Sequence, residues 1–200
     1  MKLSLVLILL CLIIACQSKP NPIQKPEIAT KEDSLELIIQ KKLEVCHILT
    51  SRQFGESFLK DGIKLKDLNT CDSLMLSVVD TLPNAPQNEQ LFWFSVLSKM
   101  SNQTDGYLSE GFGNMAYNFV EKQPLQFAKN ILGVKKDFQI ETNLKNWADQ
   151  IYGEISIANE GDEKKAVEIY IKNLKKAAKN FEMSELKIID RFCKILIAKF

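Results

Sequence analysis

From residue 35 onward the apolar residues recur at helical spacing. Leu35, Ile39, Leu43, Cys46 and Leu49 step by three and four, with Glu36, Gln40, Lys41 and Glu44 between them. That spacing lays one apolar stripe along an α-helix. Cys71, Met75, Val78 and Leu82 make a second stripe, ended by Pro83. Between the two, Phe54, Phe58 and Leu59 predict one or two helical turns closed at Gly62, while the alternation from Ile63 to Lys66 is too short to define a strand. Pro86 stands where a first-turn proline is tolerated, and Leu91 to Met100 follows as a strongly apolar helix. Asp105 is placed to cap a helix running to about Lys122. Pro124 opens another, with Gly133 at its end in the position that favours a left-handed residue. Leu144, Trp147, Ile151 and Ile155 make the stripe of a longer helix, stopped at Asn159-Glu160-Gly161. Asp162 is expected to cap the next, with Val167, Tyr170, Leu174 and Ala177 facing inward. Ser184 is expected to cap the last, where Met183 and Ile188 have the spacing of a hydrophobic staple. The expectation is an all-α domain of about six to eight helices, packed as an irregular bundle or a short stack of αα hairpins.

The helix boundaries suggest a unit. Residues 86–123, 124–161 and 162–200 are each 38 or 39 long and each is expected to hold two helices. In length this resembles HEAT-type helical hairpins, which run about 40 to 47 residues. The apolar positions do not superpose from block to block, so the resemblance is one of length only.

The first thirty residues follow another pattern. Met1 and Lys2 precede an apolar run from Leu3 to Ile14 broken only by Ser4. Twelve residues span roughly 18 Å as a helix at about 1.5 Å each, too short for a hydrocarbon core of about 30 Å. The run reads as a secretory signal over residues 1–15. At its end, Ile13-Ile14-Ala15-Cys16 resembles the lipobox of bacterial lipoproteins, in which aliphatic and small residues precede a cysteine. That resemblance implies cleavage between Ala15 and Cys16 and a thioether from Cys16 to diacylglycerol. More than one acyl chain at that site makes a stable anchor, because a single chain holds a protein only marginally. Gln17 is not the aspartate that resembles an inner-membrane retention signal, so the expected place is the outer membrane, facing the periplasm. Residues 16–30 carry Pro20, Pro22 and Pro26 among polar residues and read as an extended tether, leaving 31–200 as a single helical domain.

Composition narrows the function further. The chain has 26 basic and 25 acidic residues, and loss of residues 1–15 removes Lys2 and no acid, so the remainder is balanced. No electrostatic footprint for nucleic acid results. Cys46, Cys71 and Cys193 remain beside Cys16. An oxidising compartment permits a disulfide, and Cys46 and Cys71, on the inward stripes of successive helices, are the candidate pair; two buried thiols are the competing reading. Cys193 shares a stripe with Leu186, Ile189 and Phe200 and is expected to be buried and unpaired.

Candidate chemistry is sparse. His47 is the only histidine, so multi-histidine metal sites are excluded. Cys46 beside it points about 100° away on one helix and cannot serve it, whereas a remote Cys193 could; the alternative is a half-exposed helical histidine. Gly111-Phe112-Gly113 lies within a helical pattern rather than after a strand, which argues for close helix packing over a phosphate loop. Asp105, Glu110, Glu154, Asp162 and Glu163 each have a cap or solvated-face explanation. Lys165, Lys172, Lys176 and Lys179 share one helix side, either a solvated face or a contact for anionic lipid or an acidic partner. The aromatic run Phe92-Trp93-Phe94 marks a central helix or a partner surface.

These readings predict a lipid-anchored envelope protein whose helical domain binds another envelope protein or peptide, without a cofactor or metal. An envelope hydrolase acting on glycan, peptide or lipid is one alternative, and an inhibitor or immunity protein is another.

Overall fold

The structure, a computed structural model, describes residues 48–63, 71–104, 106–134 and 137–200. The chain divides into two units, Met1–Ile38 and Ile39–Phe200, and the described residues all belong to the second. Cys16, Ala15, Cys46, His47 and Asp105 lie outside them, as do the first apolar stripe up to Cys46 and the stretch 64–70.

Among the described residues the secondary structure is helical, with no strand. The helices are α1 (Arg52–Leu59), α2 (Asp72–Val79), α3 (Thr81–Asn84), α4 (Gln90–Met100), α5 (Gly106–Lys122), α6 (Pro124–Gly133), α7 (Asp137–Ala158), α8 (Glu163–Ala177) and α9 (Met183–Ile197), with a 3₁₀ turn at Ala178–Asn180. Eight have two turns or more, and α3 is a single turn. The all-α expectation holds.

The ends are set by local chemistry. Ser51 caps α1 by accepting from the Phe54 N–H at 3.2 Å. At the other end Asp61 takes the left-handed conformation (φ 60°), and the Gly62 and Asp61 N–H groups bond back to the Ser57 and Phe58 carbonyls at 2.8 and 3.1 Å. This is a Schellman closure with aspartate where glycine is usual. Pro124 opens α6 as expected. Several expected caps do not form. Gly133 ends α6 without a positive φ, and Leu91 lies against it, so that an added Cβ would come within 2.8 Å of the leucine methyl. Asp162 precedes α8 without a side-chain cap bond; instead the Glu163 carboxylate accepts from the Gly161 N–H at 3.0 Å. Ser184 lies inside α9 and donates to Glu185, and Met183 is 67% exposed, so the staple is absent. Ala177 is exposed and Ala178 takes the inward place, because the last turn tightens to 3₁₀.

Each of the three blocks of 38 or 39 residues does hold two helices: α4 and α5, α6 and α7, α8 and α9. In a stack each pair would touch only its neighbours. Here the third pair reaches the first: the Tyr117 ring of α5 and the Tyr170 ring of α8 lie 4.7 Å apart, and the Tyr170 hydroxyl donates to the Tyr117 carbonyl at 3.2 Å. That closure makes the domain a bundle. At its centre Trp147 of α7 stacks on Phe94 of α4 at 4.8 Å and meets Phe112, Phe119 and Phe127 at 5.6, 5.9 and 5.5 Å. Phe192 of α9 joins through Phe127 at 5.0 Å. Four helices thus meet at one indole, and α9 joins them through Phe127.

The glycines of α5 allow close approach. An added Cβ at Gly111 would collide with the Leu76 side chain of α2, and one at Gly113 would sit 3.2 Å from the Gln150 carbonyl of α7. The helix runs through both without a break, so close packing explains the pair. Gly153 of α7 differs, since nothing lies within 4 Å of its added Cβ. Gly153→Ala is therefore expected to stabilise the domain by about 1 kcal/mol, through helix propensity alone. Urea unfolding checks it; an unchanged or lowered midpoint would refute the open placement.

Candidate functional site

Polar side chains of α4 and α7 converge on one groove. On α4, Leu91, Ser95, Ser98 and Lys99, with Asn102 just beyond its end, recur at steps of four, three, one and three, and so share one helix face. Opposite them α7 presents Gln139, Thr142 and Asn143, while Leu59 and Val134 make the apolar ends of a cleft of about 370 Å³. Leu91, 40% exposed against Gly133, extends the apolar rim one turn beyond Ser95.

The groove walls are held from behind. Ser98 accepts from the Trp147 indole N–H at 2.8 Å, and its carbonyl accepts from the Ser101 hydroxyl at 2.9 Å. Lys99 donates to the Phe58 and Leu59 carbonyls at 2.9 and 3.0 Å and to the Asp61 carboxylate at 2.5 Å. A cation there meets the last carbonyls of α1 and favours the negative end of that helix. Gln150 ties α7 to the end of α4 through the Ser101 carbonyl and the Thr104 hydroxyl, both at 3.4 Å. The wall residues are thus positioned, while Ser95, Asn102 and Gln139 stand at least partly open to solvent.

Burial also shifts several proton affinities. The Tyr170 hydroxyl is pushed well up by desolvation, then by Tyr117, Glu121 and Cys193, and Tyr117 is raised by desolvation, Glu121 and Glu154. Both stay protonated at neutral pH. Cys193 is a free, buried thiol pushed up to about 11, chiefly by desolvation, which keeps it an unreactive apolar filler. Glu163 is lowered by the backbone N–H of Gly161.

Of the residues singled out from sequence, Cys71 is buried at the start of α2 and is disulfide-bonded, its partner lying outside the described residues. Trp93 and Phe94 are core residues, while Phe92 is half-buried beneath the Arg52 guanidinium at 4.5 Å, so α4 is a central helix. Glu154 accepts from Asn114 at 3.4 Å on the α5–α7 seam. Lys165, Lys172, Lys176 and Lys179 are all exposed. The groove itself escaped sequence reasoning. Its one available signal was the run Ser95, Ser98, Asn102 interrupting an apolar helix.

Among the described residues no group of three His, Cys, Asp or Glu side chains is placed to hold a metal, and no helix is long and apolar enough to cross a membrane. Comparison with protein-family models, with curated proteins and with solved structures found no match.

Proposed function

We propose that the chain is a bacterial envelope lipoprotein, anchored through Cys16 to the outer membrane facing the periplasm, whose helical domain binds an extended segment of another envelope protein or peptide between α4 and α7. The observation that carries the binding reading is the lining of that groove. An extended peptide presents alternating N–H donors and carbonyl acceptors. The Asn102, Gln139 and Asn143 amides each both donate and accept, the Ser95 hydroxyl, which donates to the Leu91 carbonyl at 2.8 Å, still accepts, and Leu59, Val134 and the exposed Leu91 offer apolar contact. The disulfide at Cys71 suits an exported chain, since such bonds are rare in the reducing cytosol.

A photoreactive residue in place of Ser95, in cells, is expected to capture a discrete partner, and Asn143→Arg in the same chain to abolish the adduct by filling the groove with a charge. No adduct, or the same adduct from a probe at the exposed Lys187, would overturn the groove assignment. The anchor is tested separately. Cys16→Ser is expected to abolish fatty-acid labelling, and continued labelling would end the lipoprotein reading.

A further inference from the structure

The outward face of α8 carries a charge the rest of the chain does not. Residues 164–180 hold six lysines and one acid, Glu168, within a chain that is balanced once residues 1–15 are removed. Val167, Tyr170, Leu174 and Ala178 bury one side of the helix. Lys165, Ile169, Lys172, Lys176 and Lys179 recur at steps of four, three, four and three on the opposite side, and all are exposed. None of the four lysines has a carboxylate within ion-pair distance among the described residues, and Ile169 is 51% exposed in their midst. Like charges at such spacings repel and weaken a helix. An anionic surface relieves that repulsion and leaves the apolar lysine stems and Ile169 against the headgroup layer.

We propose that this face docks on the anionic phospholipid surface of the membrane that holds the anchor, and so sets the orientation of the domain on it. The inference rests on the reading of the chain as membrane-anchored. It does not depend on the groove. Charge complementarity selects the occupant: a flat array of lysines about 21 Å long, at about 1.5 Å per residue, meets many phosphates at once. Length of chain allows it. The 14 tether residues from 17 to 30 reach up to about 43 Å if fully extended at about 3.1 Å each, so the tether alone selects no face.

The test uses the whole chain from residue 16 with Cys16→Ser, so that no acyl chain contributes and failure of the anchor reading leaves the measurement untouched. Co-sedimentation with vesicles containing phosphatidylglycerol is expected to show salt-sensitive binding, and vesicles of phosphatidylcholine alone to show none. Replacing Lys165, Lys172, Lys176 and Lys179 together by Gln is expected to weaken binding at least tenfold, since each lysine near an anionic surface is worth roughly fivefold. The same number of neutralised lysines at Lys122, Lys129, Lys145 and Lys187 is expected to leave it within about twofold. Equal loss in both sets, or no binding to anionic vesicles, overturns the proposal. So does binding to soluble polyglutamate as tight as to the vesicles, which would assign the face to an acidic protein. Unchanged helical circular dichroism in both variants shows that any loss is not unfolding.

Discussion

Trp147→Ala is expected to lower the stability of the domain by about 4 kcal/mol, within the range of roughly 3–5 kcal/mol seen for truncating a buried tryptophan. The indole is fully buried. It touches aromatic rings from α4, α5 and α6 and bonds Ser98 through its N–H at 2.8 Å. Truncation removes the burial and leaves a cavity that four rigid rings cannot collapse to fill. It also strips the buried Ser98 hydroxyl of its donor, at a cost of about 1 kcal/mol. For a chain of this size the melting temperature should fall by roughly 8–16 °C. Trp147→Phe keeps the stack on Phe94 and should lose about half as much. Thermal and urea unfolding decide it, and a loss for Trp147→Ala below about 1 kcal/mol would show that the indole is not the centre of the bundle. Because Ser98 belongs to the groove wall, Trp147→Phe should also weaken capture of a partner from Ser95, while a surface change such as Lys187→Ala should alter neither.

Opening the disulfide at Cys71 is expected to cost about 3 kcal/mol. Cys193 is a free thiol, Cys11 lies within the proposed signal segment 1–15, and Cys16 is the proposed lipid site, so we propose Cys46 as the partner. Cys46 precedes Leu49 by three residues, and Leu49 and Cys71 are buried in the same core cluster. A bridge between residues 46 and 71 closes a loop of about 25 residues, and the chain-entropy argument gives about 3 kcal/mol for a loop of that length. Cys71→Ser and chemical reduction should lower the urea midpoint by the same amount. Peptide mapping without reductant should yield a joined pair containing residues 46 and 71. Alkylation of the denatured, unreduced chain should label Cys193 alone besides any unacylated Cys16. Labelling of Cys46 and Cys71 in that sample would refute the pairing.

Much of the fold was legible because helices announce themselves locally. The stripe Leu144, Trp147, Ile151 and Ile155 predicts one face of α7, and all four residues are buried. The pair Gly111 and Gly113 was legible as a packing device because glycine is costly within a helix unless something comes close. The caps were less legible. Ser184 and Asp162 have the right residue types at nearly the right places, but the carboxylates of Glu185 and Glu163 take up the local bonds, a competition that residue type alone does not rank. The groove was not legible at all. Ser95 and Asn143 are separated by 48 residues, and each alone looks like an ordinary solvated position.

By itself the sequence determined the helical class, the presence of two helices within each block of 38 or 39 residues, and the outward lysine face of α8. Each depends on residues within a few turns of one another, where spacing of 3.6 per turn decides which side chains share a face. Only the tertiary structure decided whether those pairs stack or close. The bundle closes because Tyr170 docks on Tyr117 and because Trp147 gathers rings from helices far apart in the chain. Burial rewards any apolar face covered by any other, so which faces meet depends on shape and loop length summed over the whole domain, and no local pattern carries that information.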